Sequence, residues 1–591
     1  MSKAAEPLPQ GFQPASAGPD APAPVAFVAG DSASTEAMAR LKAAVAELKS
    51  AGVRPLLDQS MAALRRNDWV QAGQWAIKAL EVDETNGVGW WLLAIAREKA
   101  GDFRGAISCF EAALKLLPEH RALANDLGRL AFRLRMPEMA EKLFAHFLLH
   151  QPGHPEGTNN LACALRDQRR FAEAIEVIRP VLYANPGEAL LWNTLGTVMN
   201  EQGEVDQSLT FYDEALRLDP AMATARYNRG NARLSTGDPA GALEDVETAL
   251  TRSGPAELPM MRLARALALL ASGRLAEAWE DYEVRLDPAF PNVTRFMIER
   301  PRWTPEAEVA GRRVLVVGEQ GLGDEIMFGS MLPDLAAEIG AEGALVLAVE
   351  PRLVPLFQRS FPEADVGAHA TYKVDGHTVR FAPAAGDLAD ADLWTPMACL
   401  ARRYRREPEA FGRTPSFLKA DPERVAHWKR ELAALGDGPK IGLLWKSLQM
   451  TSSRSRFFSP FEQWGAVLAT PGCVFVNLQY GECAEELEQA RAAGTPIWSP
   501  PGLDLKNDLD EVAALACALD LTLGPPNATS NIAAACGAPA WVISTPGAWP
   551  RLGSDHMPWY PAMRVFTPAS LSDWGPVMAE TAAALRGHFG L

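Results

Sequence analysis

A spacing of 34 residues constrains this chain more than any other feature. Small residues stand at Ala72, Ala106, Ala140, Ala174, Ser208 and Ala242, each 34 positions after the last. Prolines follow the same step at Pro118, Pro152, Pro186 and Pro220. Between them lie Trp90, Ala94, Phe110 and Ala113 in one repeat, and Trp192, Leu195, Gly196, Tyr212 and Ala215 in another. Chance does not sustain such a register, and self-similarity at this period marks an array of like supersecondary pieces. Six repeats run from about 53 to 256, and a seventh, shifted by two residues, centres on Ala266, Ala278 and Tyr282.

The repeats resemble the tetratricopeptide repeat (TPR): two antiparallel helices, small residues at their crossing, and a proline ending the second helix. One repeat cannot bury its apolar face alone, so the resemblance implies a stacked α-solenoid, a TPR superhelix whose groove takes peptides or protein segments. Asn125, Asn159 and Asn193 recur at a position that faces this groove in the TPR family. Each amide offers two donors and an acceptor, enough to pair with the backbone of an extended protein acceptor. The plain alternative is a solvated polar helix face. Of Trp90 and Trp91 only one can point inward, which leaves the other as a candidate surface anchor.

Composition sets the outer limits. The 591 residues allow roughly two to four domains. With 73 acidic against 57 basic side chains the formal charge is −16, which argues against a general nucleic-acid binder. Seven cysteines stand singly with no CxxC pair, and the nine histidines show no HxxxH or HExxH spacing. Neither a disulfide scaffold nor a zinc site is expected. No apolar run reaches membrane-span length. Residues 1–35, rich in Ala, Pro and Gly, read as a disordered tail on a cytoplasmic protein.

From Arg312 the pattern changes. Arg313–Val317 is a β-branched run, followed by Gly318-Glu319-Gln320-Gly321-Leu322-Gly323-Asp324-Glu325 and an apolar helical stretch through Phe328, Met331 and Leu335. Strand, Gly-rich turn and helix make the first βα step of a doubly wound sheet, where glycines let a ligand approach the backbone. A tight turn with Asp324 as helix cap is the structural alternative. Further strands are expected at 344–349, 440–445, 474–479, 519–523 and 541–543. Asn527, Thr529 and Ser530 open a small-residue helix that stops at Gly537, and a helix start of this kind is an anion site. Two such series suggest two Rossmann-like lobes with a cleft between them.

Glu319–Glu325, Gly442–Lys446, Asn477–Gly481 and Asp510–Pro539 resemble the corresponding segments of TPR-linked GT-B glycosyltransferases. That group is similar to heptosyltransferases and, more remotely, to O-GlcNAc transferase. The chain resembles in particular the bacterial flagellin glycosyltransferases, whose repeats dock flagellin and whose lobes transfer pseudaminic acid from a CMP donor. The resemblance implies an α-solenoid followed by an α/β GT-B fold. The expected limits are a solenoid over 36–290, an N-terminal lobe over 291–425 and a nucleotide-sugar-binding lobe over 426–591. It implies Asp324 as the base for the acceptor hydroxyl, with Glu325 and Glu319 as rivals. Lys446 stabilises the leaving phosphate, with Gly321, Gly323, Arg454 and Arg456 nearby and Gln479 at the nucleotide. Asn527, Thr529 and Ser530 cap the donor phosphate. Relatives carry Asp-Thr and then His where this chain has Pro526, Asn527 and Asn531. The backbone anion site survives this change, but donor identity does not carry over.

Other features have plain readings. Asp508 and Asp510 precede a helix and serve as caps rather than as a metal motif. Arg402, Arg403, Arg405 and Arg406 form a solvated charge run. Cys536 is a core residue. The expected activity is metal-independent O-glycosylation of Ser or Thr on a protein acceptor, favoured to be flagellin, from CMP-pseudaminic acid with no cofactor. Two alternatives stand beside it: a TPR adaptor or secretion chaperone with a degenerate transferase domain, and a UDP-GlcNAc-dependent enzyme.

Overall fold

The computed structural model describes residues 32–591, apart from 119, 256, 291–292, 375–376, 384–390, 449, 451 and 572. The proposed tail lies outside the described residues up to position 31. Its last four residues are helical, because the first helix, Ser32–Arg65, already starts among them. The chain divides into two compact units, Met1–Ala184 and Asn185–Leu591.

The first unit is a stack of helical hairpins. Helices Trp69–Val82, Gly87–Lys99, Phe103–Leu116, Arg121–Arg133, Pro137–His150, Pro155–Asp167 and Phe171–Ala184 follow the first. Asp68, Asn86 and Asp102 cap their helices by accepting from the N–H three residues ahead, which satisfies donors the helix cannot. Ala72, Ala106, Ala140 and Ala174 are fully buried. Methyl groups there let paired helices approach closely. Pro118 and Pro152 stand two residues past the helices ending at Leu116 and His150.

The second unit opens with three more hairpins: Ala189–Gln202 with Val205–Leu218, Ala223–Ser235 with Pro239–Leu250, and Leu258–Ala271 with Leu275–Tyr282. Twelve strands follow among the described residues. In chain order they are β1 Thr294–Phe296, β2 Arg313–Val317, β3 Ala344–Val349, β4 Asp365–Ala368, β5 Ala370–Val374 and β6 His377–Phe381. Then come β7 Leu393–Pro396, β8 Lys440–Leu443, β9 Val474–Asn477, β10 Leu521–Gly524, β11 Ala540–Ile543 and β12 Arg564–Phe566. Two sheets are wholly parallel, with orders β4-β3-β2-β7 and β12-β11-β10-β8-β9; a third, β1-β6-β5, is mixed. The inner strands of both parallel sheets are buried almost throughout, as sheets covered on both faces must be.

The compact-unit boundary falls inside the repeat series rather than at 290, and packing explains it. Trp279 and Tyr282 of the last hairpin share one apolar core with Val314, Phe328, Ile532 and Trp559. Val205 and Tyr212 share another with Ile441, Trp445, Phe475 and Leu523. The arginine run is solvated only at Arg406, which is exposed. Arg405 is buried against Asp334 (2.7 Å) and the Ser330 carbonyl (2.8 Å). Arg402 pairs with Glu280 and Arg403 with Glu338, so the run clasps the last repeat and a first-sheet helix.

Candidate functional site

Strand β2 delivers the Gly-rich turn to the C-terminal edge of its sheet. Gly318 has no room for a side chain, since a Cβ there would overlap the Glu325 carboxylate. Gln320 adopts φ 63°, a left-handed conformation uncommon outside glycine. Its amide meets the Tyr282 hydroxyl, 2.8 Å from Nε2. Helix Leu322–Phe328 begins next, and Asp324 Oδ2 accepts from the Gly321 N–H at 3.2 Å. The capping geometry is therefore present. Asp324 Oδ1 has no hydrogen-bond partner among the described residues. Burial raises the Asp324 carboxyl to about 6; the Gly321 N–H and Arg454 oppose this rise and Glu319 adds to it. Such a carboxylate can take a proton near neutral pH.

The rival bases are occupied. Glu319 is buried in a two-point ion pair with Arg285 (2.7 and 3.0 Å) and accepts from the Ala398 N–H. Glu325 is also buried and takes the Glu350 N–H at 2.6 Å. Both hold the turn in place instead of facing a substrate.

Across from this turn lies helix Ala528–Ala535. Asn527 and Ser530 form a reciprocal cap: Asn527 Oδ1 accepts from the Ser530 N–H (3.2 Å), and Ser530 Oγ from the Asn527 N–H (2.8 Å). The Ser530 hydroxyl is fully buried in that cap, which removes it as a phosphate contact. Asn527 Nδ2 is different, a buried donor with no hydrogen-bond partner among the described residues. Thr529 is buried beside it. Asn531 Nδ2 donates to the Gly323 carbonyl at 2.9 Å and joins the two candidate segments directly. Gly323 keeps this approach open, because a Cβ there would sit 3.3 Å from the Ala528 nitrogen.

The remaining second-lobe candidates divide. Lys446 Nζ is bound to Glu486. Gln479 is buried, and its whole amide serves the backbone: Oε1 accepts from Trp445 and Lys446 N–H, and Nε2 donates to the Lys446 and Tyr480 carbonyls. This corrects its assignment to the nucleotide and explains why β8 and β9 stop at Leu443 and Asn477, two residues short of expectation. Arg454 is exposed and acts electrostatically on Asp324 and Tyr480. Arg456 turns away from any clamp and donates to the Asn200 carbonyl at 2.9 Å. Asp508 caps helix Leu509–Ala518, whereas Asp510 is held by Arg359 at 2.7 Å.

The asparagine series is also corrected. Asn125 and Asn193 are buried. Asn125 Oδ1 accepts from Asn160 Nδ2 (3.1 Å), and Asn193 Oδ1 from Asn228 Nδ2 (2.9 Å). Asn159 is half-buried and donates to Asn160 Oδ1 at 3.1 Å. These amides link successive repeats, so the first and last are not free for a guest. Trp90 and Trp91 are both half-buried; Trp91 Nε1 donates to Asp126 and Trp90 Nε1 to the Glu84 carbonyl, each at 2.8 Å. Sequence reasoning gave Tyr282 only a place in the seventh repeat and missed its bond to Gln320 and the bonding role of Asn531. For Gln320 the signal lay in the glycine-flanked turn itself.

Comparison with known proteins bears on the repeats and on the chain as a whole. The tetratricopeptide repeat family matches residues 92–151, 159–223 and 227–292. Protein FlbA of Caulobacter vibrioides is 48% identical over 567 residues, covering 96% of this chain and 95% of that protein. Protein O-mannosyl-transferase TMTC1 of Mus musculus is 28% identical over 141 residues, 23% of this chain and 15% of that one. Among solved structures, a tetratricopeptide repeat protein from Parabacteroides merdae is 18% identical, with a TM-score of 0.35 over 39% of this chain and 91% of that chain.

Proposed function

The chain belongs to the FlbA family over nearly its whole length, and from that premise we propose that it is a GT-B-type protein O-glycosyltransferase. The observation that carries this reading is Asp324, a carboxyl raised to about 6, on a glycine turn bonded through Gly323 to Asn531 of an opposing helix. An acceptor Ser or Thr hydroxyl gives its proton to Asp324 as its oxygen bonds the anomeric carbon. The bond from that carbon to the nucleotide phosphate breaks, and the phosphate leaves with the electron pair. Asn527 Nδ2, the backbone amides of helix Ala528–Ala535 and Arg454 receive that charge. Pseudaminic acid carried on CMP is the favoured donor and flagellin the favoured acceptor, recruited by the repeats; both follow from the family resemblance.

The test is the intact mass of flagellin co-expressed with this chain, or with Asp324→Ala, in cells that make nonulosonic acids. Added masses of one nonulosonate each, absent with the variant, are expected. Unmodified flagellin that does not bind the chain rejects that acceptor.

One observation favours a second reading as a TPR adaptor or secretion chaperone. Lys446 is held by Glu486, and the Gln479 amide is occupied by backbone. Thermal shifts with CMP, UDP and GDP separate the readings, since a ligand at a hundred times its Kd adds about 2.7 kcal/mol. No shift with any nucleotide favours the adaptor. A shift with UDP alone points to a UDP-GlcNAc enzyme.

A further inference from the structure

Three arginines among the described residues are more than nine-tenths buried: Arg285, Arg380 and Arg405. Arg285 pairs with Glu319 and Arg405 with Asp334. Arg380, only 7% exposed, has no carboxylate within ion-pair distance among the described residues. A cation taken out of water without a partner is costly, so its surroundings call for explanation.

Arg380 stands on β6, directly opposite Thr371 of the antiparallel β5. Its Nε donates to Thr371 Oγ1 at 3.0 Å and its Nη1 to the Gly318 carbonyl at 2.5 Å. Nη2 has no hydrogen-bond partner among the described residues. The guanidinium lines a cavity of about 610 Å³ whose wall includes Glu350, His369, Thr371 and Tyr372. His369 fills the one-residue step between β4 and β5, where its N–H donates to the Val349 carbonyl at 2.8 Å. It is 5% exposed, and its Nε2 is buried without a hydrogen-bond partner, 3.5 Å from Glu325 Oε2. A buried nitrogen without a hydrogen-bond partner among the described residues, His369 Nε2, thus stands beside a buried guanidinium with one nitrogen left over, at the C-terminal edge of a parallel sheet where α/β proteins place ligands.

We propose that this cavity is a binding site for a sugar-sized carboxylic acid, with Arg380 taking the carboxylate and His369 a neighbouring oxygen. The planar guanidinium suits a carboxylate edge. Glu325 and Glu350 lie close enough to act on Arg380 electrostatically, and they disfavour a doubly charged phosphate more than a singly charged acid. The volume falls in the usual range of small-ligand pockets. That the acid is a sugar rests on the transferase reading; the site for a monoanion does not.

The test titrates the full chain with N-acetylneuraminic acid, its neutral methyl ester and inorganic phosphate, and separately with CMP. The free acid binds saturably, the ester at least tenfold more weakly, and Arg380→Gln weakens the acid tenfold or more. Ala370→Phe, which narrows the cavity without touching Arg380, does the same and guards against a folding defect in the first variant. Equal binding of acid and ester, undiminished binding in both variants, or phosphate binding more tightly than the acid overturns the proposal. CMP bound with no acid bound sinks this site alone. Acid bound with no CMP bound sinks the CMP-donor reading and leaves the site standing.

Discussion

Asn531 Nδ2 donates to the Gly323 carbonyl at 2.9 Å. This one bond ties helix Ala528–Ala535 to the glycine-rich turn that carries Asp324. It occupies the position where relatives of the resembled group carry a histidine, and it fixes how far apart the turn and the helix can sit.

Asp324→Asn should lower transfer by at least about a hundredfold while making the protein more stable. The carboxyl titrates at about 6 in the folded state against an ordinary 3.8. Between those values the folded state keeps a proton the unfolded state has lost, so stability falls as pH rises through that window. Asparagine escapes this penalty, so at pH 7.5 the variant should be more stable by about 1–3 kcal/mol, with the gain gone below about pH 4. Wild-type transfer should rise with pH and level off above about 6. Melting curves across pH, set beside a mass-based transfer assay, check both halves; a variant that transfers normally removes Asp324 from the mechanism.

Truncation should respect packing rather than the repeat pattern. Residues 185–591 should fold cooperatively, and residues 291–591 should not. Trp279 is 1% exposed and donates to the Arg405 carbonyl at 2.7 Å. Removing it strips the core around Phe328 and Trp559, and Trp279→Ala alone should cost about 3–5 kcal/mol. Denaturant melts of the three proteins give the answer.

Releasing Lys446 should help a nucleotide. Glu486→Gln removes its ion-pair partner, so CMP should bind several-fold more tightly, whereas Lys446→Ala should bind it more weakly. Calorimetric titration that shows both variants equal to wild type would leave Lys446 as a surface ion pair.

Asn193→Ala and Asn228→Ala should each destabilise the 185–591 unit by about 1–2 kcal/mol. Their bond spans successive repeats, so a double-mutant cycle should show coupling of about 0.5–1.5 kcal/mol. Additive losses would mean the two amides act independently.

The periodic parts of this fold are legible in sequence because one physical rule repeats. A small residue where helices cross and a proline after four of the hairpins leave marks every 34 residues. Strands β2 and β3 read off at their observed limits, since strands buried on both faces are plain apolar runs. The β5–β6 hairpin was not legible: its burial is mixed, and Tyr372, Lys373 and Val374 face outward. Side-chain roles were harder still. Glu319, Gln479 and Ser530 are residue types that suit catalysis or binding, but their partners lie 34, 33 and 3 residues away. Only folding shows that those partners already occupy them. Asp324 stood out because a glycine turn limits where its carboxyl can be.

The cross-repeat bonds Trp91–Asp126, Arg133–Glu98, Asn160–Asn125 and Asn228–Asn193 all join residues 35 apart. An array built on one constant offset is modular in heredity as well as in space. A gene duplication or loss of a whole number of repeats presents each new neighbour with the same slot, while any other length breaks the links that span the join. The length of the repeat series can therefore change between lineages in steps of one hairpin, without a new set of links between its members.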